Sequence, residues 1–73
     1  MTIHDEALAT RIRTAIAMDR RTGDLPIDVR VSGGEAFLKG RVDTLEQSDV
    51  VQFIVSGVTG VRHVNTEELE VGR

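Results

Sequence analysis

Apolar positions along the 73-residue chain alternate between two spacings, one of about three and a half residues and one of two. From residue 4 to residue 18 the spacing is helical. Leu8, Ile12, Ala15 and Ile16 share one face, with Arg11, Arg13 and Asp19 around its rim and end. Thr2 followed by Asp5 forms a variant capping box, and Asp5 with Glu6 places negative charge at the helix start. Residues 19–26 are polar and contain Gly23 and Pro26, which predicts a loop. From Ile27 the spacing drops to two: Ile27, Val29 and Val31 alternate with Asp28 and Arg30, the pattern of a strand with one buried face. Ser32, Gly33 and Gly34 then predict a tight turn, because adjacent glycines supply the positive φ that a hairpin needs. In the next strand Ala36, Leu38, Gly40 and Val42 alternate with Glu35, Phe37, Lys39 and Arg41. Thr44 with Gln47 is a capping box for a second helix over residues 45–56, whose best apolar face is Val51, Ile54, Val55 and Val58. Gly57 is placed to stop that helix, Gly60 lies in the following turn, and a last strand covers residues 61–71.

The order is therefore α-β-β-α-β over one domain, residues 1–73. A hairpin makes the first two strands antiparallel, and a helical crossover leaves the third parallel to the second. Each helix has one apolar stripe, so both need the same sheet face. The expectation is an α/β (α+β) two-layer sandwich, a three-stranded mixed sheet with two helices on one face.

Composition narrows the function. A chain of this length buries only about 60% of its unfolded surface, and without cysteine it has no disulfide or thiolate metal site to reinforce a thin core. The net charge of −3, with Lys and Arg scattered, argues against nucleic acid, which needs a concentrated basic footprint. No apolar run approaches the ~20 residues of a membrane span. The N-terminus lacks the basic and apolar regions of a secretory leader, so a complete chain is expected in the cytoplasm; for an excised domain that expectation lapses.

No catalytic, metal or cofactor constellation emerges. His4 and His63 stand at opposite ends of the chain, Ser32, Ser48 and Ser56 occupy a turn and a helix, and Glu67, Glu68 and Glu70 read as a solvated acidic edge. The reading is a non-enzyme. The two phenylalanines carry more information. Phe53 lies about 200° from Val51 around the second helix, at ~100° per residue, with Val50 and Gly57 beside it. Phe37 alternates out of phase with Leu38 and should lie on the uncovered sheet face among Arg30, Lys39 and Arg41. These six residues, Arg30, Phe37, Lys39, Arg41, Val50 and Phe53, form the candidate interaction surface; Gly33, Gly34, Gly40, Gly57 and Gly60 are assigned structural roles. The candidate partners are an anionic phospholipid surface, another protein or a second copy of the chain. The alternative is single-stranded nucleic acid, because Gly57-Val58-Thr59-Gly60 has the GxxG form by which KH domains clamp a backbone. Against it, Val58 and Thr59 carry no charge and only one helix flanks the motif.

Taken in order, several segments resemble the BON domain family of bacterial osmotic-stress and nodulation proteins. They are Ile27-Asp28-Val29-Arg30-Val31, Gly33-Gly34, Leu38-Lys39-Gly40-Arg41-Val42 and Gly60-Val61-Arg62-His63-Val64. The resemblance covers nearly the whole chain and implies a non-catalytic module that binds phospholipid or other interfaces in stress and envelope proteins. Two departures stand out. Ala36 occupies a position where the family usually has a bulky apolar residue, and the last strand carries one extra residue between Val64 and Leu69. Their odd separation cannot place both on one face without a phase change, so a β-bulge is expected near residues 65–67.

Overall fold

A computed structural model describes residues 3–72. Its elements are α1 (Ile3–Met18), β1 (Ile27–Ser32), β2 (Glu35–Val42), α2 (Leu45–Ser56) and β3 (His63–Val71). The sheet order is β1-β2-β3, with β1 antiparallel and β3 parallel to β2. The order and both strand directions are those the spacing predicts. The last strand begins two residues later than expected, because Val61 and Arg62 belong to the turn that carries the chain back across the sheet end.

Both helices pack on one sheet face. Leu8, Ala9, Ile12 and Ile16 of α1, Val51 and Val55 of α2, and Val29, Val31, Ala36, Leu38, Val42 and Leu69 of the sheet form a single core. Each fully buried Val, Leu or Ile contributes about 1.5–3 kcal/mol. On α1 the stripe is rotated from its expected position: Ala9 is buried and Ala15 only half-buried. Helical spacing alone allows either flank, and the rotation brings the Arg13 flank of α1 to the β1 edge. There the Arg13 guanidinium donates to the Val29 carbonyl at 3.2 Å. The proposed Thr2–Asp5 cap lies outside the described residues.

The α2 start is built as the sequence indicates. Thr44 has extended backbone and its hydroxyl accepts from the Gln47 amide at 3.1 Å. The Gln47 side chain reaches back to accept from the Asp43 amide at 2.6 Å, one residue earlier than in the usual reciprocal box. The hairpin turn has positive φ at both Gly33 and Gly34, matching the twist of the flanking strands.

β3 carries the expected bulge. Phe37 pairs with Asn65 and Lys39 with Glu68, so β3 advances three residues while β2 advances two. The Asn65 side-chain oxygen accepts from the Glu67 amide at 3.0 Å, which satisfies a donor that the ladder leaves out. As a result Val64 packs against the core and Leu69 is buried on the same face. Ala36, unusually small for its position, is fully buried between the registers of Val31 and Val64.

Candidate functional site

The sheet face turned away from the helices brings four of the six candidate residues together. Arg30 stands opposite Phe37, and Lys39 and Arg41 follow on the same side of β2. The same register also places acids among them. Asp28 pairs with Lys39 across one strand boundary and Glu68 across the other, and Glu70 lies beside Arg41, whose guanidinium donates to it at 3.4 Å. Asp28, Arg30, Lys39 and Glu68 surround Phe37 in a shallow depression. At the far end Glu35 faces His63 at 3.8 Å and accepts from the Asn65 amide group at 3.4 Å. The three bases of this face are thus matched by Asp28, Glu35, Glu68 and Glu70, and the face has no cationic excess. Reading β2 alone misses this, because the bulge in β3 decides that Glu68 and Glu70 turn to the open side.

Val50 and Phe53 lie elsewhere, on α2. Phe53 is 73% exposed and Phe37 only 38%, so the long charged side chains around Phe37 cover much of its ring while nothing covers Phe53. Val50 is half-buried on the flank beside it. Ile3 and Met18 on α1 and Leu45 on α2 are also strongly exposed, and sequence reading did not single them out. At ~100° per residue, Ile3 falls opposite Ile12 and Phe53 nearly opposite Val51, on the outer sides of their helices. The four most exposed large apolar side chains thus lie on the helices, whereas Phe37 and Val71, less exposed, lie on the sheet with its alternating charges.

The glycines differ in their roles. Gly57 caps α2 with right-handed backbone, its amide donating to the Phe53 and Ile54 carbonyls. Gly60 has a φ of 106° in the link to β3. The Gly57–Gly60 segment joins a helix to a strand, whereas the nucleic-acid clamp of the alternative reading sits between two helices. Gly40 has a φ of 145°, and a side chain there would run into the Pro26 carbonyl. This close approach of β2 to the start of β1 is the physical reason for the glycine in the Leu38-Lys39-Gly40-Arg41-Val42 segment.

One further feature was not read from the sequence. The first three turns of α1, the Gly33–Gly34 turn and the Gly60–Arg62 link border an open cleft of about 410 Å³, lined by Arg11 and Arg62 along with His4 and Asp5. Its parts come from three separate stretches of chain. Periodicity could not have joined them.

No helix among the described residues is long and apolar enough to cross a membrane. The chain matches none of the curated proteins. The family model described as "BON domain" matches residues 4–73. With the α-β-β-α-β order, the mixed sheet and that match over nearly its whole length, the chain belongs to the BON domain family, a family of small non-catalytic modules that bind phospholipids or proteins.

Proposed function

We propose that this domain attaches to phospholipid surfaces through its helical layer, with Phe53 as the principal apolar contact and Val50 beside it. The observation that supports this is the segregation of the two layers. Ile3, Met18, Leu45 and Phe53 expose apolar surface on the helices, while the open sheet face is charge-matched. Phe53 is the largest of these side chains, and with Val50 beside it on α2 it offers a local apolar contact for a lipid surface. An electrostatic mode through Arg30, Lys39 and Arg41 would gain about 1 kcal/mol per free cation near an anionic membrane. Neighbouring Asp28, Glu68 and Glu70 offset that gain.

Vesicle co-sedimentation with neutral and anionic lipid, at low and high salt, tests the reading. The native domain should bind vesicles of both kinds with little salt dependence. Phe53→Ser should weaken binding by about tenfold, the equivalent of about 1.4 kcal/mol and a fraction of a fully buried Phe. Loss of binding in a triple Arg30, Lys39 and Arg41 to Gln variant, with Phe53→Ser unaffected, would overturn the assignment in favour of the sheet face. A concentration-dependent oligomer that Phe53→Asp converts to monomer, with no vesicle binding, would overturn it in favour of a second copy.

A further inference from the structure

The cleft between α1, the hairpin turn and the link into β3 is built in a way that packing alone does not require. We infer that it is a binding site for a singly charged phosphodiester. This rests on the phospholipid reading, which selects phosphate among the anions that two guanidiniums can hold.

The walls are fixed by backbone contacts. The Arg62 amide donates to the Gly34 carbonyl at 2.8 Å and ties the hairpin turn to the link before β3. The Arg62 side chain then lies across Gly34, where an added Cβ would come within 3.0 Å of its Cδ and 3.1 Å of its Cγ. The aliphatic part of Arg62 is thereby held flat on the glycine. Arg11 comes from the opposite wall, with its guanidinium donating to the Thr59 carbonyl at 3.5 Å, a long bond that leaves most of its donors uncommitted. Gly60 lies between them, its missing Cβ facing Leu8 at 3.4 Å and Arg11 at 3.7 Å. Gly33 at the mouth has nothing within 4 Å of where a Cβ would stand. Among the described residues neither guanidinium forms an ion pair with a carboxylate.

These features define the ligand. Arginine guanidiniums bind phosphate oxygens through planar donor forks, as they bind carboxylates, and the phospholipid reading selects phosphate between the two. The volume of about 410 Å³ is that of a small-molecule site, and the open space at Gly33 lets a ligand approach the backbone closely. Asp5 lines the same cleft, so two guanidiniums are set against one carboxylate. That balance suits one negative charge and disfavours a dianionic monoester.

The ligand chemistry could come from a membrane headgroup or from a free soluble phosphodiester, and one set of measurements separates the two. Amide resonances of Gly33, Gly34 and Gly60 are followed by NMR as the labelled domain is titrated with soluble glycerophosphoethanolamine, then with inorganic phosphate. The diester should shift all three, and phosphate at equal concentration should shift them less. Gly33→Asp and Gly33→Asn form the decisive pair. Both residues tolerate the left-handed backbone at φ 58°, and both enter open space, so they differ mainly in charge. Binding of the diester should be at least tenfold weaker to the Asp variant than to the Asn variant. Arg62→Gln should weaken it as well. If the three amides stay unmoved in a large molar excess of diester, or if Asp and Asn variants bind alike, the inference fails.

The same pair is then tested on vesicles. Weaker vesicle binding by Gly33→Asp than by Gly33→Asn identifies the headgroup as the source. Vesicle binding that ignores Gly33 while the soluble diester binds identifies a free phosphodiester. Vesicle binding that depends on Phe53 with no diester response would overturn the cleft and leave the helical-layer reading standing. Diester binding without vesicle binding would do the reverse.

Discussion

The two ends of the sandwich are built from the same kinds of residue and pair their polar groups differently. At one end the chain leaves α1 through residues 19–26 and enters β1, and at the other it turns through Gly33–Gly34 and passes Gly60 into β3. Both are polar and glycine-bearing, and by composition both are loops. The first end is tied together by its own hydrogen bonds, although Arg20, Arg21, Pro26, Arg41 and Asp43 line a cleft of about 440 Å³ there. Thr22 is fully buried, its hydroxyl donating to the Ile16 carbonyl at 2.7 Å, and the Thr22 and Gly23 amides donate to the Asp19 carbonyl. Asp19 accepts from the Arg21 amide at 2.8 Å and from its guanidinium at 3.0 and 2.9 Å, while Gly40 admits the Pro26 backbone. The second end leaves a cleft with two arginines free of ion pairs among the described residues. The ends therefore differ in how many of their polar groups find partners inside the chain, and both border a cleft.

The sharpest way to break that contrast is to add one methyl group at each end. Gly40→Ala should cost about 3 kcal/mol or more, since it combines a strained φ with collision against backbone that cannot move aside. Gly33→Ala, with the same added methyl in open space, should cost only the left-handed penalty of roughly 1–2 kcal/mol. Urea unfolding of the two variants measures the difference directly. Equal costs would mean that the Pro26–Gly40 approach is not a fixed feature.

A smaller effect is expected at Thr22. Thr22→Val keeps the shape and removes the hydroxyl, leaving the Ile16 carbonyl without that donor in a buried setting, which should cost about 1–3 kcal/mol. A cost near zero by the same urea assay would show that water reaches this end of the molecule.

The smallest effect concerns acid. Hydrogen bonds from Arg21 hold the Asp19 carboxyl down to about 2 from its ordinary 3.8. A depressed carboxyl stabilises the fold above its unfolded value, and that contribution is lost as pH falls through the window between these two values. Arg21 is exposed and Asp19 partly so, and the slope should be shallow and weakened by salt. Asp19→Asn should remove the Asp19 part of the acid slope and little else, as read from unfolding midpoints between pH 5 and pH 2.

Much of this was legible in the chain itself, and for identifiable reasons. Alternation in β1 and β2 fixed which faces are buried, and Thr44 with Gln47 located the start of α2. The odd separation of Val64 and Leu69 required the bulge, because a period-two strand has no other way to keep both on one face. Phe53 opposite Val51 was likewise readable from helical geometry. Other features were not. Thr22 is polar and sits in a polar stretch, so nothing marks it as buried until the loop folds under α1. Arg13 looked like a rim residue before the β1 edge gave it the Val29 carbonyl. The basic character of Arg30, Lys39 and Arg41 held only within β1 and β2.

Local periodicity determined the elements, their order, the strand directions and the phase change in β3, because each depends on residues within one turn, one hairpin or one crossover. Tertiary structure decided the charge balance of the open face, the burial of Thr22 and the cleft of Arg11 and Arg62. Each of those joins segments far apart in sequence, and the register and crossover that bring them together leave no mark in the spacing of any one segment.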